Sequence, residues 1–272
     1  MIKNNGQYYD EYTGKLLYDD QVMRRMVERY RDEIGNRVII STSAAALWRI
    51  PILDRLNDYK VIVVDGVSHH SAQHCHFVQR KNEDKMRVIE HSGFYIASHV
   101  DTLLELDRVN CPLSVIASIN HCLYKGWVTR AELLGTKLRK YRKFFNANCE
   151  SPFETLVILM IMALGFELPS QQVEIRGFGR FIARVDMIWV DKKLVLESDG
   201  LGKVELVNNK DAYYKQQTRE WDLRDAGYEV VRVMWRELAN GKLEERLIKA
   251  GIHRRKEWKN NKLAKWFRDF HF

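Results

Sequence analysis

The sequence predicts an α/β (α+β) protein in two domains. Residues 1–145 form a mainly helical, winged-helix-like domain, and residues 146–272 a domain with a mixed central sheet flanked by helices. Three observations lead there. In the second half an apolar helical run precedes three strand patterns, a polar amphipathic helix and a last strand, the order expected when helices cover a sheet. In the first half helical patterns outnumber strand patterns. Between the halves "KFFNANCE" breaks the periodicity near residues 143–150 and sets the boundary.

Residues 1–15 are polar and read as a loose arm. "DDQVMRRMVERYRDEIG" at 19–35 reads as one helix, with Asp19 or Asp20 capping its start and Gly35 its end. A short alanine-rich helix follows, capped by Ser41 or Ser43. "YKVIVVDG" at 59–66 and "HFVQR" at 76–80 read as a strand pair, which with the two helices makes the winged-helix-like unit. "DTLLEL" and "PLSVIASINHCLYKG" are further helices, and "VTRAELLGTKLRKYRK" begins with a threonine cap. In the second half "SPFETLVILMIMALGF" is a helix; "QVEIRG", "GRFIARVDMIWV" and "KLVLESDG" are strands. "NKDAYYKQQTREWDLRDAGY" is a helix and "EVVRVMW" a strand, and a basic helix, "HRRKEWKNNKLAKWFRDF", closes the chain.

The net charge of +8 and pI of about 9.2 favour anionic partners, nucleic acid first. The longest apolar run, at 156–166, is too short to span a bilayer, so no membrane partner is expected. The opening residues carry no signal peptide, and Cys75, Cys111, Cys122 and Cys149 lack C-x-x-C spacing. A reducing cytoplasm is the expected compartment.

The chemistry concentrates around "WVDKKLVLESDG". A hairpin symmetric about Asp191 and Lys192 pairs Val190 with Lys193. It then sets Asp186 opposite Glu197 and Arg184 opposite Asp199. Glu197 and Asp199, two apart, share a face. Opposed carboxylates repel, and a hard divalent cation with oxygen ligands would compensate; Mg²⁺ suits one or two carboxylates plus phosphate. The competing account is an ordinary Arg184–Asp199 ion pair with the other acids solvated. A three-residue loop would also shift the register and separate the acids. Glu154, in "SPFE", reads on spacing alone as half of a capping box behind Ser151, although a helix N-terminus also suits a carboxylate that must stay ionised.

These segments together resemble a known family. "SPFETLVILMIMALGFELPSQQVEI", "GRFIARVDMIWVDKKLVLESDGLGK" and "TREWDLRDAGYEVVRVMWREL" are similar, in order and over about 120 residues, to the Vsr-like (very-short-patch-repair-like) branch of the PD-(D/E)XK nuclease superfamily. The resemblance implies a restriction-endonuclease-like fold with Asp186 and Glu197 as metal-binding acids and Glu154 as an accessory acid. It places Gln172 and Arg219 beside the site, with Arg184 in the same surround. The superfamily's lysine position holds Asp199, so Lys203 is the cation implied to complete the catalytic set of Glu154, Asp186, Glu197, Asp199 and Lys203. The first half resembles more weakly, through "STSAAALW", the AbiEi-family antitoxin-type domains.

The resulting expectation is a Mg²⁺-dependent endonuclease, Mn²⁺ serving as a substitute, acting on double-stranded DNA in phage defence, a toxin–antitoxin setting or repair; a homodimer is compatible. Two alternatives stand beside it: a non-catalytic DNA-binding regulator or antitoxin with a degenerate nuclease fold, and an RNA-directed nuclease. The basic, aromatic-flecked tail contributes Arg254, Arg255, Lys259 and Lys262 as phosphate contacts, or else docks its aromatics on the core. His69, His70, His74, Cys75 and His76 read as polar loop or wing residues, with a zinc site as the sharper alternative.

Overall fold

The computed structural model describes the chain apart from residues 5–6, 14, 55, 57–58, 66–69, 72, 80–84, 178, 200–209, 256, 258 and 271–272. It is a mixed α/β protein with mixed sheets, and no described helix is long and apolar enough to cross a membrane. The chain divides into two compact units, Met1–Phe145 and Asn146–Phe272.

The first unit opens with a two-stranded antiparallel sheet, β1 (Ile2–Asn4) and β2 (Gln7–Tyr9), where a loose arm was expected. Asp10 closes it by accepting from the backbone N–H groups of Tyr12 and Thr13, at 3.0 and 2.7 Å, and pairing with Arg25. The single helix expected at 19–35 breaks at Tyr30 into α1 (Asp19–Arg29) and α2 (Arg31–Ile34). Asp19 is no cap: it accepts from Leu56 N–H and the Tyr59 hydroxyl, tying the helix to the segment before the next strand. Then come β3 (Val38–Ile39), α3 (Ser41–Trp48), β4 (Val61–Asp65), β5 (His70–Ser71), β6 (Cys75–Gln79), β7 (Val88–His91) and β8 (Phe94–Ala97). Ser43, rather than capping α3, accepts from Ile62 N–H at 2.9 Å.

These strands form one sheet in the order β5-β6-β4-β3-β8-β7. The expected strand pair exists as β4 and β6, but they run parallel, so they do not make an antiparallel wing. Burial explains it: Val61, Val63, Cys75 and Phe77 belong with Met23, Val27, Ile39 and Ile96 to one core, which needs both strands inside a wide sheet. The β7–β8 hairpin was not anticipated. The unit ends with α4 (His99–Val109), α5 (Pro112–Tyr124), α6 (Arg130–Leu134) and a 3₁₀ segment, Lys137–Phe144. Thr129 and Glu132 form the capping box of α6.

The second unit begins with α7 (Pro152–Leu164), followed by β9 (Ser170–Gly177), β10 (Arg180–Trp189), β11 (Leu194–Asp199), α8 (Lys210–Asp225) and β12 (Glu229–Met234). The sheet order is β12-β11-β10-β9; β10 is antiparallel to both neighbours and β11 runs parallel to β12. Leu223 of α8 packs with Ile175, Val185, Ile188 and Val195 of the sheet, while the almost wholly apolar α7 is buried along most of its length. Among the described residues, the α-helices α9 (Trp235–Ala239), α10 (Lys242–Lys249) and α11 (Asn261–Asp269) close the unit. The long basic helix expected at 253–270 is therefore only its last part. Arg254 instead lies in a bridge to Phe166.

That bridge passes tightly over Gly165, the left-handed C-cap of α7 at φ 77°. A Cβ there would meet Arg255 O, Lys259 N and Lys259 Cα at 3.0, 3.0 and 3.1 Å. Gly165→Ala is therefore expected to cost on the order of 2 kcal/mol or more, from the left-handed backbone plus the clash. Urea denaturation measures it, and an unchanged midpoint would contradict this packing.

Candidate metal and active site

The β10–β11 register matches the expected hairpin: Met187 pairs with Leu196, Ile188 with Val195 and Trp189 with Leu194, around a turn at 190–193. The ladder stops at Met187 and Leu196, so Asp186 and Glu197 are the next residues of their strands, just past its end. On the other side, Val173 pairs with Val185 and Gln171 with Met187, which brackets Gln172 opposite Asp186. Glu197 in turn pairs with Arg232. One row across the sheet thus reads Gln172, Asp186, Glu197, Arg232, in strands otherwise rich in buried apolar residues.

The backbone departs from a regular sheet along this row. Ser198 N–H donates to the side chain of Asp186, at Oδ2 and 2.9 Å, and the Ser198 hydroxyl adds a second bond at 2.8 Å. The Asp186 carboxylate is thereby fixed where the β10–β11 ladder ends. Gln172, inside β9, has φ 53°, a left-handed conformation that costs about 1–2 kcal/mol for a residue with a side chain. Its amide donates to Glu154 Oε2 at 3.1 Å.

Glu154 lies in the first turn of α7 and is 5% exposed. Ser151 caps the helix by accepting from Glu154 N–H at 3.1 Å. The reciprocal half of the expected box is shifted by one residue, because Glu154 Oε2 accepts from Glu150 N–H, at 2.9 Å. Burial first, and then the negative charge of Asp186, lift the Glu154 carboxyl to about 7. The folded protein keeps this proton where the unfolded chain has released it. The stability is present below the ordinary value of 4.5 and is lost as pH rises to about 7. Glu154→Gln, which retains an oxygen acceptor, is expected to remove that fall and to be more stable at pH 8 by about 3 kcal/mol. Denaturant titrations of both proteins in chelator from pH 4.5 to 8 measure this; parallel curves would refute it.

The guanidinium groups sit differently from the hairpin expectation. Arg184 does not meet Asp199; it pairs with Glu150. Asp199 pairs with Arg232 at 3.2 Å, and Glu220 holds the same arginine at 2.7 Å. The reason is the parallel strand β12, which sets Arg232 next to the two acids of β11 and takes the role given to Arg184. Arg219, on α8, donates to Glu197 Oε1 and to Arg184 O, both at 2.7 Å. Arg232 is the residue the sequence reading missed; its signal was "VVRVMW", a charge inside an apolar strand.

Lys203 lies outside the described residues. In the tail, Arg254 pairs with Glu244 and stacks over the Phe166 ring at 4.5 Å, which commits it to the fold. Arg255 and Lys259 are exposed, and Lys262 is exposed over Trp266 at 5.0 Å. Leu263 and Phe267 dock α11 on the unit's interior. For the histidine-rich stretch, His69 is outside the described residues, His74 stacks on Tyr30 at 3.8 Å, and Cys75 is fully buried in the first core. Cys75 and His76, adjacent on one strand, point to opposite sides.

Two opposed carboxylates are hard oxygen donors and fit Mg²⁺, which takes one or two acids and keeps water or phosphate oxygens. Among the described residues no group of three or more His, Cys, Asp or Glu side chains converges to hold a metal. The protein would supply Asp186 and Glu197, and solvent and substrate the remaining ligands. No family model, no curated protein and no solved structure matches this chain.

Proposed function

We propose that the second unit is a PD-(D/E)XK-type, Mg²⁺-dependent endonuclease domain acting on double-stranded DNA, and that the first is a binding region built on its six-stranded sheet. The observation that carries the proposal is the placement of Asp186 and Glu197 as the next residues of the two strands just past the end of the β10–β11 ladder, with Glu154 close enough to feel the Asp186 charge. The order of motifs along the second unit supports the same reading.

Asp186 and Glu197 would hold the ion. When bound, Mg²⁺ would lower the pKa of a water and neutralise charge on the phosphoryl oxygens. Ser198 fixes the Asp186 carboxylate through two hydrogen bonds, so its orientation is set before any ligand arrives. Glu154 is the accessory acid, held by Gln172. Lys203 is assigned to the charge developing on phosphorus. Arg255, Lys259 and Lys262 supply exposed positive charge for the DNA backbone. The net charge of +8 suits that partner.

Incubation with supercoiled plasmid, single-stranded DNA and RNA in Mg²⁺ or Mn²⁺ tests the proposal. Cleavage of the plasmid is expected. Cleavage of RNA alone would move the substrate to RNA, and no cleavage of any substrate would remove the enzymatic reading.

One observation favours a second reading. Arg219 sits on Glu197 and Arg232 on Asp199, so both acids of β11 already have cationic partners. A DNA-binding regulator of antitoxin type, keeping this fold as a scaffold, would need no ion there. Sequence-specific binding without metal-dependent cutting would identify it.

A further inference from the structure

A cleft of about 820 Å³ lies in the first unit. Its volume is in the range of small-molecule sites. Its apolar lining is Leu47, half-buried, with Phe94 and Ile96 beneath at 2% and 0% exposure. Its rim is cationic, with Arg24 and Arg29 from α1 and Arg49 from the end of α3.

The arginines divide into two kinds. Arg24 and Arg25 are committed: Arg24 pairs with Asp20 at 2.9 Å and donates to Ala46 O at 3.2 Å, and Arg25 pairs with Asp10. Arg29 and Arg49 are exposed and have no acidic partner among the described residues. Glu11 and Glu28 also line the cleft, and Glu28 is held by Arg31 at 3.0 Å. Arg49 also has φ 57°, at a helix C-terminus where glycine is the usual choice. A strained arginine kept at a cleft mouth points to use of its charge.

One wall is aromatic and rigid. His91 lies beside Trp48, ring centroids 5.3 Å apart, and Trp48 is anchored by its indole N–H to Ala97 O at 2.8 Å. The following turn is clamped by Arg31, which donates to Ser92 O and Gly93 O at 3.3 and 3.2 Å and stacks over the Phe94 ring at 3.8 Å.

We infer that this cleft binds a nucleotide, with its phosphate between Arg29 and Arg49 and its base against the exposed His91 ring and Leu47. Guanidinium groups suit phosphate through paired donors. An exposed imidazole ring held in place by Trp48 suits a planar base better than an aliphatic chain. The same chemistry is available from a free nucleotide or from the terminal nucleotide of a strand. The site lies wholly in the first unit and is independent of the carboxylate site.

Calorimetric titration of the full chain with adenosine and cytidine 5′-monophosphates, a 5′-phosphorylated tetranucleotide and inorganic phosphate tests it. At least one nucleotide probe is expected to bind at least about tenfold more tightly than inorganic phosphate. Tighter binding of the monophosphate identifies a free nucleotide as the source; tighter binding of the tetranucleotide identifies a strand end. Arg49→Gly separates structure from binding: it relieves the backbone, so the melting temperature is expected to hold or rise, while nucleotide affinity falls at least about tenfold. Arg29→Gln, on the exposed side of α1, is expected to weaken binding likewise. No binding by any probe, equal binding of phosphate and nucleotides, or wild-type affinity in both variants would overturn the inference.

Discussion

Asp186→Asn is expected to reduce Mg²⁺-dependent cleavage of duplex DNA by at least about 100-fold while leaving the fold intact. Groups that merely orient a metal ligand already cost about 10- to 100-fold when removed, and a ligand itself should cost more. The substitution is chosen for what it preserves. Asparagine keeps an oxygen where Asp186 Oδ2 accepts from Ser198 N–H and Ser198 Oγ, so the end of the β10–β11 ladder keeps its hydrogen bonds. It also removes the charge that, after burial, raises the Glu154 carboxyl. The variant's stability at neutral pH is therefore expected to match or exceed that of the wild type. Side-by-side plasmid cleavage and denaturant melts measure both halves. Full activity in the variant would take Asp186 out of the site, and a large loss of stability would make it a structural residue.

Arg219→Gln separates the enzymatic reading from the scaffold reading. The Glu197 side chain is 6% exposed and its Oε1 lies 2.7 Å from the Arg219 guanidinium. Removing the guanidinium takes a charge-assisted hydrogen bond from a buried carboxylate, at a cost of roughly 1.5–3 kcal/mol. Arg219 also donates to Arg184 O, so its loss loosens α8 from β10 as well. If Glu197 is a metal ligand, a bound divalent cation supplies positive charge in place of the guanidinium. The variant is then expected to be destabilised in chelator and to recover much of the loss in millimolar Mg²⁺, through the mass action of a ligand that prefers the native state. Thermal melts with and without Mg²⁺ measure the recovery. Equal destabilisation in both conditions would favour the scaffold.

The central hairpin was legible because a two-residue side-chain period and a short turn together leave few registers, and the symmetric one faced Asp186 with Glu197. What lay beyond the hairpin was not. The parallel partner of β11 comes from a strand some thirty-five positions later, and nothing local to "LVLESDG" indicates that Arg232 will stand beside Glu197 and Asp199. Arg184 was therefore given a partner that Arg232 takes. The same blindness to parallel pairing turned β4 and β6 into a wing. The left-handed Gln172 was also hidden, because nothing in "SQQVEI" marks a break in an otherwise strand-like run. In the tail, the aromatic spacing correctly indicated a docking helix, but Arg254 looked free only because its partner Glu244 sits on α10, ten residues earlier.

The most direct test is Mn²⁺ binding followed by electron paramagnetic resonance on the wild-type protein, Asp186→Asn and Glu197→Gln. The signal of free Mn²⁺ is expected to drop by about one ion per wild-type chain and to return when Mg²⁺ is added, as for a hard-oxygen site that accepts either ion. Both variants are expected to lose this site. Saturable binding that both variants retain, or no saturable binding by the wild type, would contradict a metal centre at Asp186 and Glu197.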